Sequence, residues 1–301
     1  MGAFSTADAI RHVKIPGSVE ISPEQFSLLR EKLKEMFADI SDAASKADVT
    51  VYLGGGSCLG AVRNGGMIPW DDDIDINVRR EDLERLLGSI RDEYGDKYWI
   101  RTPGKTQGHN LLFTQIRLKG TSVRNRDDSR NPECGLPIDI FVIENTYDSL
   151  LKRWWHGVGC MYYGFVVSCR KFYEDRAFLT GFAKDSGSRK LVFATALKKM
   201  VGALYSGRSL DSMVAKGDRW YSRCKDGTSR YISIPTGRKH FFGELYERTP
   251  FLDGTSVEFE GTKTNLPGNA EEYLRNLYGD YSSMPAEKDR ERHIFFEPFA
   301  L

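Results

Sequence analysis

The sequence is short of the features that announce the simplest functions. Its five cysteines, Cys58, Cys134, Cys160, Cys169 and Cys224, are odd in number and form no CxxC pair. Neither a disulfide framework nor a zinc site is expected, and a reducing cytoplasm is the simplest setting. The five histidines, His12, His109, His156, His240 and His293, show no ligand spacing such as HExxH. No run of about 18 uncharged apolar residues occurs, so no membrane-spanning helix is expected. The first 25 residues lack the apolar centre of a secretion signal. Charge of one sign is not in excess: 43 Lys and Arg oppose 42 Asp and Glu. That balance speaks against a nucleic-acid binder that works by bulk electrostatics. No internal repeat is visible.

What remains is an ordinary soluble composition, 40% hydrophobic and 28% charged over 301 residues. That length holds one large or two small units with a real hydrophobic core. Residues 1–21 read as an N-terminal arm. Ser22-Pro23-Glu24-Gln25 is a helix start, with Ser22 as N-cap and Gln25 three residues on, and Leu28, Leu29, Leu33 and Met36 carry helical spacing towards Lys46. Val49 to Leu53 reads as a strand and Ser57 to Arg63 as a short helix. Ile74, Ile76 and Val78 alternate with Asp73, Asp75 and Asn77, which is strand periodicity. Arg80–Tyr94 is predicted helical, and 112–118 and 138–143 read as strands. The polar stretch 124–133 between those strands reads as a loop. Helical runs follow near 150–175 and 188–205, then a mixed segment, and a short helix at 271–278. The expected organisation is an α/β (α+β) core over 22–148 and a mostly helical half over 149–301 that completes the same catalytic unit.

One segment tempers the soluble reading. Trp154 to Val167 reads WWHGVGCMYYGFVV between basic flanks, Lys152 and Arg153 before it and Arg170 and Lys171 after. A buried helix is the preferred reading. Peripheral membrane contact through 152–171 is the alternative, since aromatic residues with basic flanks suit a bilayer surface. Lys198 and Lys199, with Arg189 and Lys190, read as a solvated helix face that a polyanionic acceptor could use.

The chemistry concentrates between Leu53 and Ile76. Gly55 and Gly56 let backbone N–H groups approach an anion, and Ser57 adds a hydroxyl at a helix start, where the dipole favours phosphate. Asp73 and Asp75 lie two apart on a strand, which points both carboxylates to one face. Such neighbours repel unless a cation neutralises them, and Mg²⁺ or Mn²⁺ bridging carboxylates and substrate phosphates fits. Asp139, a lone acid in the apolar run Pro137-Ile-Asp-Ile-Phe, is the third member. Other motifs fail on inspection. Asp71, Asp73, Asp75 and Asn77 mimic a calcium loop, but Ile76 stands where that loop requires glycine. No Gly-Lys-Ser/Thr follows the glycines as a P-loop needs, and Leu59 breaks both the GxGxxG and the nucleophile-elbow patterns.

The segment is similar to the signature of the LicD family, which is related to the fukutin proteins. The likeness rests on Gly55, Gly56 and Ser57, on Leu59-Gly-Ala-Val-Arg63, and on Ile68-Pro-Trp-Asp-Asp-Asp-Ile-Asp75. Phe259-Glu-Gly and the run from Leu266 to Tyr281 resemble the family's C-terminal pattern, so the likeness extends over about 22–293. It implies the nucleotidyltransferase fold of DNA polymerase beta, with Asp73, Asp75 and Asp139 as catalytic metal ligands. It further implies transfer of a phosphorylated alcohol, such as phosphocholine, from a CDP-linked donor to a hydroxyl of a surface-glycan or teichoic-acid precursor, in the cytoplasm or at the inner membrane face. Gly55, Gly56, Ser57, Arg63 and Arg117 would bind the donor phosphates, although lysine is expected in place of Arg117. Trp70, Asp71 and His293 are further candidates for the donor pocket. Asp139 is a candidate general base as well as a ligand. Two rivals stay open: transfer of NMP from an NTP to a small molecule, and a module that binds nucleotide without turnover.

Overall fold

A computed structural model describes residues 18–125, 128, 131–176, 189–286, 290 and 293–301. The arm before residue 18, and parts of the 124–133 loop and of the segment ahead of the 189–204 helix, lie outside the described residues. The chain runs β1 (Ser18–Val19), α1 (Pro23–Lys46), β2 (Tyr52–Leu53), α2 (Gly55–Asn64), β3 (Asp75–Arg79), α3 (Arg80–Tyr94), β4 (Tyr98–Arg101), β5 (Thr114–Leu118), β6 (Ser122–Asn125) and β7 (Pro137–Asn145). It continues with α4 (Leu150–Glu174), α5 (Arg189–Leu204), α6 (Leu210–Tyr221), β8 (Tyr231–Ser233), α7 (His240–Gly243), β9 (Leu245–Glu247), α8 (Arg248–Leu252), β10 (Thr255–Phe259), β11 (Thr262–Leu266), α9 (Ala270–Tyr278) and β12 (Phe295–Ala300). The architecture is mixed α/β.

The helices with the clearest sequence signals form where their pattern places them. The α1 capping box is complete: the Ser22 hydroxyl accepts from the Gln25 N–H, and the Gln25 side chain accepts from the Ser22 N–H. Leu29, Leu33, Met36, Phe37 and Ile40 of α1 and Leu83, Leu86, Leu87 and Ile90 of α3 are buried on the central sheet. That sheet has strand order β10-β11-β2-β3-β7-β5-β4, with β8 and β9 attached beside β7. β3 and β7 run parallel, with Asp75 paired to Asp139, while β2 and β5 run antiparallel to their neighbours β3 and β7. Carboxylates from two distant stretches are thereby set side by side at one end of the sheet.

The structure departs from the sequence expectation after residue 221. The second half is helical through α6, but it then supplies strands to both sheets. The β10–β11 hairpin turns on Glu260 and Gly261, both at positive φ, as a two-residue primed turn requires. It adds two strands to the central sheet through the pairing of Asn265 with Tyr52. β12 pairs with both β1 and β6 in a separate three-stranded sheet. Arg124 and Asn125, expected in a loop, are strand residues because β12 returns from the far end of the chain to pair with them. All five cysteines are free and buried.

Candidate active site

The glycine turn sits where β2 ends and α2 begins. Gly55 has a φ of +42°, and a Cβ added to it would lie 2.9 Å from the Asp75 carboxylate. A Cβ at Gly56 would lie 2.9 Å from the Asp71 carboxylate. The glycines thus let carboxylates press against the backbone, a closer approach than any side chain would tolerate. The Gly55 N–H donates to the Tyr273 hydroxyl at 2.9 Å, so this amide is engaged within the protein. The Ser57 hydroxyl is buried and accepts from the Asp75 N–H at 2.9 Å. In this arrangement Ser57 holds the first residue of β3 in place.

Residues 71–74 are an extended lead-in, and β3 begins only at Asp75. The alternation argument therefore does not govern Asp71, Asp72 and Asp73, and Asp72 joins the cluster although strand parity would turn it away. Burial, then the charges of Asp73, Asp139 and Asp71, push the Asp75 carboxyl well above its ordinary range. Burial, then Asp73 and Asp72, do the same to Asp71. Asp139 is pushed up to about 6, chiefly by burial, while the Gln115 hydrogen bond and the Arg117 charge oppose the shift. His293 donates its backbone N–H to Asp72 at 3.0 Å, and its Nδ1 lies 2.8 Å from the other oxygen of that carboxylate. Burial alone would depress the imidazole, but Asp72, Asp73 and Asp139 hold it protonated well above its usual range. Asp72, Asp73 and His293 bring one ligand atom each within 4.8 Å of one another. A set of carboxylate oxygens crowded enough to suppress its own ionisation, beside an imidazole that takes up a proton in the same field, has the chemistry of a site for a hard divalent cation.

Arg117 does not occupy the place expected of it. It is fully buried, and its guanidinium donates to Asp128, to the Gly135 carbonyl and twice to the Gln115 carbonyl. Gln115 in turn donates its amide to Asp139 at 2.7 Å. Direct contact with a donor phosphate is closed to Arg117. It orients Asp139 through Gln115, a residue that reads in the sequence as an unremarkable polar position of a strand.

A basic pair lies on the approach. The guanidinium carbon of Arg63 stands 5.9 Å from the centre of the Trp70 ring, and that of Arg290 stands 4.3 Å from it. Buried Nη2 of Arg63 and buried Nε of Arg290 have no hydrogen-bond partner among the described residues. Unpaired buried donors are costly, and two guanidinium groups on one ring concentrate positive charge there. Trp70 is itself buried and forms part of the core. Arg290 carried no signal in the sequence beyond its basic neighbours.

Elements late in the chain brace this cluster. Glu260, at the hairpin tip, accepts from the Met67 N–H at 2.6 Å and pairs with Lys34 at 2.6 Å. Arg30 donates to the carbonyls of Ile68 and Asp71 from the α1 side. A cavity of about 560 Å³ adjoins Asp72 and His293, lined also by Glu20, Ser22, Phe26 and Phe295.

Comparison with known proteins agrees with these features. Residues 48–155 match the family model described as LicD/FKTN/FKRP, nucleotidyltransferase domain. The chain is 24% identical over 266 residues to the lipopolysaccharide cholinephosphotransferase LicD of Haemophilus influenzae, covering 84% of this chain and 89% of that protein. It is 40% identical over 70 residues to the ribitol 5-phosphate transferase FKRP of Mus musculus and of Homo sapiens, which is 21% of this chain and 14% of each relative. Residues 48–155, with their glycine turn and paired strand acids, are thus the stretch of the chain that resembles the LicD/FKTN/FKRP nucleotidyltransferase domain.

Proposed function

We propose that the protein is a metal-dependent phosphotransferase that moves a phospho-alcohol from a CDP-linked donor to a hydroxyl of a cell-surface glycan precursor. The observation that carries the reading is the crowding of Asp71, Asp72, Asp73, Asp75 and Asp139 at the ends of β3 and β7. Their mutual repulsion outweighs the relief that protonated His293 gives, which leaves the cluster favouring bound protons or a cation. Asp73, Asp75 and Asp139 would hold Mg²⁺ or Mn²⁺ on a core of the DNA polymerase beta type, with Asp72 and His293 at its flank. The bound cation would supply charge neutralisation at the diphosphate. Arg63 and Arg290, both half-buried, would receive the donor phosphates through the parts of their guanidinium groups that reach solvent. Asp139, aligned by Gln115, would take the proton of the acceptor hydroxyl as its oxygen bonds to the distal phosphorus. The bond from that phosphorus to the CMP oxygen breaks, and CMP leaves.

Choline phosphate is the first candidate for the transferred group. The cavity beside Asp72 combines Phe26 and Phe295 with Glu20, a lining suited to an alkylammonium group. The similarity to a cholinephosphotransferase points the same way. The test is a screen of CDP-choline, CDP-ribitol, CDP-glycerol and CDP-ethanolamine for CMP release, with and without Mg²⁺. Mg²⁺-dependent CMP release from one donor supports the reading. Pyrophosphate release from an NTP would replace it with nucleotidyl transfer, and binding without release would leave a nucleotide-binding module.

A further inference from the structure

Helix α4 has two apolar faces, and only one is fully used. His156, Cys160, Val166 and Val167 are buried against the rest of the molecule. On the other side Leu151, Trp155, Val158, Tyr162 and Phe165 recur at spacings of four and three residues, and all are exposed. The stripe continues at Cys169 and Tyr173, where α5 covers it. A Cβ at Gly202 of α5 would strike the Cys169 carbonyl and Tyr173, and the Tyr162 and Tyr205 hydroxyls meet at 2.8 Å. On α5 and just past its end, the residues turned towards α4 include Lys198, Gly202 and Tyr205. Helical periodicity sets Phe193, Met200 and Leu204 opposite them, and these are 65%, 60% and 80% exposed. The uncovered half of α4 and the outer side of α5 therefore form one stepped apolar face.

The charge on these helices decides what the face meets. Together they carry eight Lys and Arg and one acid, Glu174, which is paired with Arg170 at 2.9 Å. The whole chain is balanced to +1, so positive charge is concentrated here. A second copy docked about a twofold axis would oppose like charges across the contact. Tryptophan and tyrosine, which place a ring in apolar surroundings and a polar atom in water, stand among the exposed residues. No helix among the described residues is long and apolar enough to cross a membrane.

We propose that the face formed by α4 and α5 docks the protein onto an anionic phospholipid bilayer, with the aromatic and aliphatic side chains at the headgroup boundary and the basic residues on the lipid phosphates. The docking stands apart from the chemistry proposed for the acid cluster, because none of its residues lies in that cluster.

The test is co-sedimentation of the full chain with vesicles of phosphatidylcholine alone and with about 30% phosphatidylglycerol, whose anionic headgroups give the surface a negative potential. Binding is expected only to the anionic vesicles, and should weaken as salt shortens the screening length. The variant Phe193→Ser/Met200→Ser/Leu204→Ser should reduce vesicle binding about tenfold or more. Lys152→Glu/Lys199→Glu should do the same, and circular dichroism should report a folded chain for both. Equal binding by wild type and folded variants would overturn the proposal. So would failure of the wild type to bind anionic vesicles, and a dimer in sedimentation equilibrium that both variants abolish would then assign the face to self-association.

Discussion

Replacing Gln115 with leucine tests the chain of contacts that runs from Asp128 through Arg117 and Gln115 to Asp139. The two side chains are similar in size, so the exchange leaves no large void. It removes both hydrogen bonds that Arg117 makes to Gln115, at 3.0 and 2.7 Å, and the 2.7 Å bond to Asp139. Arg117 keeps Asp128 and the Gly135 carbonyl, so its Nε–H becomes the donor with no partner in a fully buried place. An unsatisfied buried donor costs about 1–3 kcal/mol, and that is the expected loss of stability, read by urea denaturation. Asp139 loses the hydrogen bond that opposes its upward shift, so its pKa should rise beyond about 6. A base with a raised pKa is protonated up to a higher pH. The acid limb of CMP release should move upward accordingly, measured with the active donor at saturating Mg²⁺. A variant within about 0.5 kcal/mol of wild type would refute the view that Gln115 satisfies Arg117. An unmoved acid limb would refute the view that Gln115 tunes Asp139.

Three further outcomes are expected. Asp75→Asn should reduce donor turnover more than tenfold, a barrier increase above about 1.4 kcal/mol. Its stability without metal should hold or rise, because one carboxylate leaves a repelling cluster, and differential scanning calorimetry with EDTA checks this. Gly55→Ala must adopt a left-handed backbone, at about 1–2 kcal/mol, and must push Asp75 from its position. Titration calorimetry with Mn²⁺ should show weakened binding, and unchanged affinity in a folded variant would count against the close approach. Glu244 is buried, and burial pushes its carboxyl up to about 8 against an ordinary 4.5. The folded state therefore holds a proton that the unfolded chain releases, and wild-type stability drains away as pH rises from about 4.5 to 8. Glu244→Gln removes that dependence, so its advantage over wild type should grow across the window, to on the order of 4 kcal/mol at most. Parallel urea curves at pH 5, 6.5 and 8 decide it, and a constant difference would contradict the shift.

Legibility in the sequence followed the range of the forces involved. The α1 cap and the apolar faces of α1 and α3 are fixed by residues within a few positions of one another, and they stand where they were read, while the alternation read over 73–78 becomes strand only from Asp75 on. The contents of the site depended on more distant partners. Asp72 belongs to it because 71–74 lies outside the strand whose periodicity would have excluded it. Arg117 is sealed because Asp128 and the Gly135 carbonyl close over it, which no property of the strand sequence discloses. The β10–β11 hairpin and β12 pair with segments some 170 to 280 residues earlier, beyond any local pattern, so a half read as mostly helical supplies strands to both sheets.

The bracing of the site by late elements has a consequence in time. The Tyr273 hydroxyl that receives the Gly55 N–H, the Glu260 carboxylate that receives the Met67 N–H, and the His293 that engages Asp72 all lie in the last 42 residues. Every acid of the cluster has been synthesised by residue 139, well before any of these braces exists. During synthesis the carboxylates therefore wait, charged and without their supports, while more than a hundred residues are added. The cluster acquires its supports only once residues 260–293 have been made, and a product cut short before Glu260 would carry the acids without the braces that fix their positions.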